Sequence, residues 1–137
     1  MNNLPNYKYS ELTSEIIRMA YYIHDYFGFG HLESVYEKSL VIKLRKEHFK
    51  VERQKSIKVY FEQELVGNFR ADIVVEDRVI LELKAVEEIH PIHEVQLVNY
   101  LKCTGFEVGL LFNFGEKLEF KRKVFSNDRK RMLKFIP

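Results

Sequence analysis

Residues 69–84 have the pattern of two short strands joined by a polar turn, and both strands carry ionisable side chains. The segments on either side of the turn are rich in Val, Ile and Leu with the period of two that is typical of strands. Asp72 lies on the first strand, and Glu82 and Lys84 lie on the second. Because charged side chains are rarely buried without a partner, this hairpin is predicted to hold the chemistry of the chain.

The register of the hairpin decides whether these side chains meet. If Glu76, Asp77 and Arg78 form a three-residue turn, Asp72 lies opposite Glu82. Lys84 then follows two residues along on the same face. A two-residue turn would shift the register by one residue and place the two carboxylates on opposite faces.

Strict alternation also assigns the remaining residues of the first strand to faces. It predicts that Ala71, Ile73 and Val75 share one face. Arg70 and Asp72 are then predicted to share the other.

Two carboxylates that face each other across strands repel, and a divalent cation removes that penalty. Mg²⁺, or Mn²⁺ in its place, takes a few carboxylate oxygens and retains waters, which suits a site built on Asp72 and Glu82. Lys84 beside them can position or deprotonate a water and adds positive charge where a phosphate would sit. The alternative is a surface hairpin in which Lys84 forms an ordinary ion pair with one of the two acids.

Composition indicates one soluble domain, since the 137 residues are 46% hydrophobic and 31% charged. We expect residues 1–9 to form an arm and residues 126–137 a basic tail. Cys103 has no possible partner within the chain, which fits a reducing cytoplasm. No apolar run approaches membrane-spanning length, and the first residues lack a secretory pattern.

Charge is distributed unevenly, although the net charge is only +2. Residues 121–137 hold seven basic residues and one acid, whereas the first 120 hold 15 basic and 19 acidic residues. A basic end on an acidic body suits an anionic polymer partner, and it is equally typical of a solvated terminus.

Hydrophobic periodicity predicts the other elements. Ser10 is expected to cap the first helix and Gly105 to follow the end of the third. The predicted elements are a helix over 10–27, a helix over 32–48, a strand over 51–61, the hairpin, a helix that starts at Pro91, and strands over 107–114 and 118–125.

Several polar residues on the predicted helices are candidates for the same site. Glu33 lies beside the inward face of the second helix, where it can add an oxygen to the metal or simply favour a helix start. Glu37, one turn on, is expected to be exposed. Gln96 and Tyr100 share a face of the third helix and could bind a phosphate, a base or the water shell of the metal.

His90 and His93 invite a zinc hypothesis. It is disfavoured because no Cys partner accompanies them and their position at a helix start is shallow.

These motifs together resemble a known superfamily. Asp72 followed by Glu82-Leu83-Lys84 is similar to the PD-(D/E)xK signature of the restriction-endonuclease-like nucleases. Gly30-His31-Leu32-Glu33-Ser34-Val35-Tyr36 matches the GxxExxY motif that names one small branch, and Gln96 and Tyr100 resemble the QxxxY element of RecB-like members. Ala71 stands where the signature has Pro.

The resemblance covers about residues 12–125 and implies an α/β (α+β) fold of order αα-βββ-α-ββ, a central mixed sheet flanked by helices. It implies that Asp72, Glu82 and Glu33 bind the metal and that Lys84 acts on the attacking water. It also implies that Gln96 and Tyr100 contact the substrate. Arg70 is expected to follow the nucleic-acid backbone.

The first hypothesis is a Mg²⁺-dependent nuclease that hydrolyses phosphodiester bonds, with DNA as substrate. A homodimer would supply surface that a chain of this size lacks. The second hypothesis is a nucleic-acid-binding module that does not cut, or cuts only with a partner. The third is a structural or regulatory protein that binds other proteins.

Overall fold

The computed structural model describes residues 8–130, which form a five-stranded sheet with helices on both faces. The predicted order αα-βββ-α-ββ is confirmed. The elements are α1 (Ser10–Phe27), α2 (Glu33–Lys46), β1 (Val51–Phe61), β2 (Glu64–Val75), β3 (Val79–Lys84), α3 (Pro91–Lys102), β4 (Val108–Phe114) and β5 (Leu118–Val124). Most of the predicted arm and residues 131–137 of the predicted tail lie outside the described residues.

The strands follow the order β1-β2-β3-β4-β5 across the sheet. Of the four neighbouring pairs within residues 8–130, β3 and β4 run parallel, and the other three pairs are antiparallel. A parallel pair needs a crossover, and α3 supplies it. This is the mixed sheet of a restriction-endonuclease-like α+β fold.

The hairpin between β2 and β3 has the predicted register. Val75 pairs with Val79, so Glu76, Asp77 and Arg78 form the three-residue turn. Glu76 and Asp77 adopt left-handed backbone conformations with φ of 55° and 52°. Lys50 holds both, because its backbone N–H donates to the Glu76 carboxylate and its ammonium donates to Asp77, each at 2.6 Å.

Two apolar layers cover the sheet. One lies beneath α1 and α2 and contains Ile16, Met19, Tyr36, Leu40, Leu44, Ile73, Leu81, Leu83, Phe112 and Phe114. The other lies beneath α3 and contains Ile57, Ala71, Val74, Ile80, Leu97, Leu101 and Leu111. Because β4 is buried along its whole length, the sheet is closed off from water on both faces at its centre.

The face predicted for Ala71 is wrong. Ala71 packs in the α3 layer, whereas Ile73 and Val75 pack in the layer under α1 and α2. Gln54, on the neighbouring strand in the row of Asp72, has a φ of 54° in the middle of β1. Alternation is thus interrupted at the row that carries Asp72, and a period of two cannot anticipate such an interruption.

Two predicted helix ends also differ. Ser10 is the first residue of α1, which has no side-chain cap; Thr13 instead donates from its hydroxyl to the Ser10 carbonyl oxygen. α3 ends at Lys102 with Cys103 as the capping residue, so Gly105 lies beyond the helix end and does not have a left-handed conformation. Within residues 8–130 no helix has both the length and the apolar character needed to cross a bilayer.

Candidate active site

Asp72 lies where β2 and β3 separate. The paired residues of the two strands end at Ile73 and Leu81. One residue further on, the Asp72 carboxylate accepts a hydrogen bond of 2.8 Å from the backbone N–H of Leu83. The Asp72 side chain thereby takes the place of the next backbone partner that Leu83 would have on β2. It lies against the segment that carries Glu82 and Lys84.

Glu82 is the most perturbed acid of the site. Its Oε1 atom is buried, and no group among residues 8–130 forms a hydrogen bond with it. Burial, followed by the charge and hydrogen bonding of neighbouring Asp72, raises the pKa of Glu82 to about 9, and Lys84 opposes that shift. The two carboxylates therefore share one small region of space, as the predicted register requires.

Glu33 reaches the same region from the first turn of α2. Desolvation and the negative charge of Asp72 raise the pKa of Glu33, whereas Lys84 lowers it. The charge of Glu37, one turn further along α2, also raises the pKa of Glu33. Three acids and one lysine from α2, β2 and β3 thus interact electrostatically.

Glu37 is buried, with 3% exposure, which contradicts the prediction that it faces water. Its carboxylate forms an ion pair with Arg53 at 2.5 Å and accepts hydrogen bonds of 3.0 Å from the Gln54 side-chain amide. The same amide lies 3.5 Å from an oxygen of Asp72. Gln54 thus connects Glu37 to the candidate site, a role that the sequence did not suggest.

A small cavity of about 70 Å³ separates this cluster from α3. Its lining includes Glu82 and Lys84 from β3 and Gln96 and Tyr100 from α3, so the structure brings the predicted substrate-binding pair to the predicted site. Its full lining is Glu82, Lys84, His93, Gln96, Leu97, Tyr100 and Leu111.

Tyr100 is fixed in the wall by an aromatic neighbour. Its ring stacks on Phe69 with centroids 3.6 Å apart and planes within 6°. Burial, and then the charge of Glu82, raises the pKa of the Tyr100 phenol, so the hydroxyl remains a hydrogen-bond donor at neutral pH.

Arg70 is not brought into this cavity. It is exposed on β2 opposite Ser56, and the residues on either side of it, Phe69 and Ala71, pack in the α3 layer. The described part of the predicted basic tail, residues 126–130, contains one buried lysine. Lys130 is buried and donates to the carbonyl oxygens of Thr104 and Phe106.

The segment that matches GxxExxY positions Glu33. Gly30 has a φ of 95°, a conformation that favours glycine. The buried Tyr36 donates from its hydroxyl to the Gly28 carbonyl oxygen at 2.7 Å and accepts from the His31 N–H at 3.3 Å. The glycine and the tyrosine therefore shape the connection between α1 and α2 from which Glu33 extends.

The donor set fits a hard divalent cation. Asp72 and Glu82 offer carboxylate oxygens. One of these, Glu82 Oε1, is buried and has no partner within the described part of the chain, and a bound cation would satisfy it. Within residues 8–130 no three His, Cys, Asp or Glu side chains are already arranged as a metal group. Two protein ligands and several waters are the coordination that this arrangement suits.

The mixed five-stranded sheet with its flanking helices defines an α+β protein of the restriction-endonuclease-like kind. The profile of the PD-(D/E)XK nuclease superfamily matches residues 10–123, and the chain belongs to that superfamily. Its members generally use divalent metals and act on nucleic acids. No curated protein and no solved structure matches the chain.

Proposed function

We propose that this protein is a nuclease of the GxxExxY branch that requires Mg²⁺ or Mn²⁺ and hydrolyses phosphodiester bonds in DNA. The observation that carries the proposal is the Glu82 carboxylate, which lies beside Asp72 and has one oxygen, Oε1, buried without a hydrogen-bond partner among residues 8–130, with Lys84 two residues along. A buried carboxylate oxygen that lacks a partner costs stability, and a bound cation would remove that cost.

Asp72 and Glu82 would hold the cation, and Glu33 would add a carboxylate oxygen or orient a water beside them. When bound, the cation lowers the pKa of water and offsets charge that develops on the phosphoryl oxygens. Lys84 would orient the attacking water and place a positive charge beside the phosphate. The water oxygen forms a bond to phosphorus and one ester P–O bond breaks. The attacking water gives up a proton to solvent, and the leaving oxygen takes up a proton from solvent.

Gln96 and Tyr100 would bind the substrate on the α3 side of the cleft, where both line the cavity with Glu82 and Lys84. Arg70, exposed on β2, would contact the nucleic-acid backbone without sequence preference. We place the protein in the cytoplasm, where a lone cysteine remains reduced.

The decisive experiment is a cleavage assay on single- and double-stranded DNA and RNA with Mg²⁺ or Mn²⁺. Glu82→Ala and Lys84→Ala should each abolish metal-dependent cleavage and leave the circular dichroism spectrum unchanged. Glu119→Ala and Lys117→Ala remove one exposed acid and one exposed base as matched controls and should cleave as wild type. Wild-type rates for the Glu82 or Lys84 variant would refute the assignment.

The same assay separates the proposal from a binding module that does not cut. That alternative predicts salt-dependent DNA binding with no cleavage in either metal. If a homodimer is needed to provide enough surface to bind the substrate, the cleavage rate should rise more steeply than linearly with protein concentration.

A further inference from the structure

His93 lines the candidate active site, although the only role that the sequence suggested for it was the disfavoured one of a zinc ligand. It lies at the third position of α3 and borders the cavity with Glu82 and Lys84. Gln96 follows it by three residues, and Tyr100 by seven, so all three side chains share one face of the helix.

One ring nitrogen of His93 is already engaged. Nδ1 accepts a hydrogen bond of 3.3 Å from the backbone N–H of His90, as part of a reciprocal cap in which His90 Nδ1 accepts from the Ile92 N–H. A neutral imidazole has one donor and one acceptor nitrogen, so Nδ1 as acceptor leaves the proton on Nε2. Burial, then the charges of Lys84 and His90, lowers the pKa of His93, which favours that neutral form.

Resting on the proposed function, we propose that His93 is a catalytic residue whose Nε2–H donates a hydrogen bond to an oxygen of the scissile phosphate. The cleft carries two chemically distinct sets of side chains. Asp72 and Glu82 offer only acceptors once ionised, whereas Lys84 on β3 and His93, Gln96 and Tyr100 on α3 all offer donors. A phosphodiester presents oxygens that accept hydrogen bonds, so the donor set is what binds it, and His93 belongs to that set.

Two substitutions of His93 separate contact with the phosphate from capping of the helix. His93→Asn retains an acceptor near the Nδ1 position and removes the donor at Nε2. His93→Gln places an amide donor near the Nε2 position and lacks the acceptor at Nδ1. His90→Asn, a favourable N-cap substitution away from the cavity lining, is the control.

The proposal expects His93→Asn to lose about 10²-fold in kcat with an unchanged melting temperature, as when one oxyanion donor is removed. His93→Gln should keep most of the rate despite a lower melting temperature, and His90→Asn should match wild type in rate. The reverse order, in which the Asn variant is active and the Gln variant is not, would show that His93 only caps α3 and would overturn the proposal.

A readout that does not depend on cleavage keeps this proposal distinct from the nuclease assignment. The ¹⁵N resonances of the His93 imidazole are followed while a short DNA duplex is added in EDTA. A shift of Nε2 at His93 but not at His90 is expected. A shift without cleavage by the wild type refutes the nuclease assignment and keeps the phosphate contact. Glu82-dependent cleavage without a shift overturns the contact and keeps the nuclease.

Discussion

The Asp72 carboxylate accepts a hydrogen bond of 2.8 Å from the Leu83 backbone N–H, in the middle of the Glu82-Leu83-Lys84 segment. One residue thus both supplies charge to the cluster and holds the strand that carries the other two groups. The two roles can be measured separately, since Asn retains an acceptor for Leu83 and removes the charge.

We expect Asp72→Ala to be less stable than Asp72→Asn by about 1–2 kcal/mol, because only the Ala variant leaves the Leu83 N–H without its partner. Both substitutions remove the repulsion on Glu82, so their difference isolates the hydrogen bond. Urea unfolding in EDTA measures it. Added Mn²⁺ should raise the melting temperature of wild type and of neither variant. Equal stability of the two variants would show that Leu83 does not depend on the carboxylate.

The register of this hairpin could be predicted because a polar turn of three residues and two apolar flanks leave few ways to pair. Other features depend on residues distant in the chain. The sequence around Glu37 is typical of an exposed helix position. Its carboxylate can be buried because Arg53 and Gln54, which lie on β1, form an ion pair and hydrogen bonds with it. Helical periodicity contains no information about those partners.

His93 could have been found from the sequence. It precedes Gln96 by one helical turn on the helix face that Gln96 and Tyr100 share, although its closeness to His90 in the sequence points instead to a metal ligand. The left-handed conformation of Gln54, by contrast, has no signal in its residue type, since the residues that favour such backbone are Gly, Asn and Asp.

Tyr36 should contribute to stability mainly through its hydroxyl. Tyr36→Phe keeps the stack on Phe114, whose ring centroid lies 4.5 Å away, and removes the hydrogen bonds to the Gly28–His31 segment. We expect a loss of about 1–2 kcal/mol in the free energy of unfolding, because the half-buried Gly28 carbonyl loses its donor. Tyr26→Phe, at a side chain with 73% exposure, should change it by less than about 0.5 kcal/mol. A Tyr36 variant as stable as the control would contradict this account of the motif.

Gly109 is required by the packing of α3 on the sheet. A Cβ atom at this position would lie 2.7 Å from Cδ1 of Leu97 and 3.1 Å from its Cγ, so the whole Leu97 side chain would have to move. Gly109→Ala should cost about 1–3 kcal/mol. Gly67→Ala is the matched control on β2. A Cβ atom there would meet no atom of residues 8–130 within 4 Å, so the substitution should be nearly neutral.

A shortened side chain at position 97 should remove that penalty. In a Leu97→Ala background Gly109→Ala should cost less than in wild type, and the difference is the coupling between the two sites. Additive effects would show that Leu97 is not the obstacle.

Tyr100 has two separable roles in the cavity wall. Tyr100→Phe retains the stack on Phe69 and should leave stability within about 0.5 kcal/mol of wild type. If the phenol contacts substrate as proposed, the same variant should lose about 10-fold in kcat/KM, which corresponds to one hydrogen bond. Tyr100→Leu should lose stability as well. Full activity in the Phe variant would remove the phenol from the substrate-binding residues.

Lys130 should make stability depend on pH in the alkaline range. Burial lowers its pKa to about 8 in the folded chain, while its ordinary value is 10.5. Between these values the unfolded chain binds more protons than the folded chain, so stability contributed by this group rises with pH from about 8 to about 10.5. Below pH 8 both states are protonated and the contribution is constant.

Lys130→Met removes the titrating group while it keeps an unbranched side chain in the same place. The stability of wild type relative to this variant should therefore increase across that pH window, by at most about 1.4 kcal/mol per pH unit for one proton. Urea unfolding of both proteins at a series of pH values measures the difference, and residues that titrate alike in both proteins cancel. A difference that stays constant from pH 7 to pH 10 would mean that Lys130 remains charged where it donates to Thr104 and Phe106.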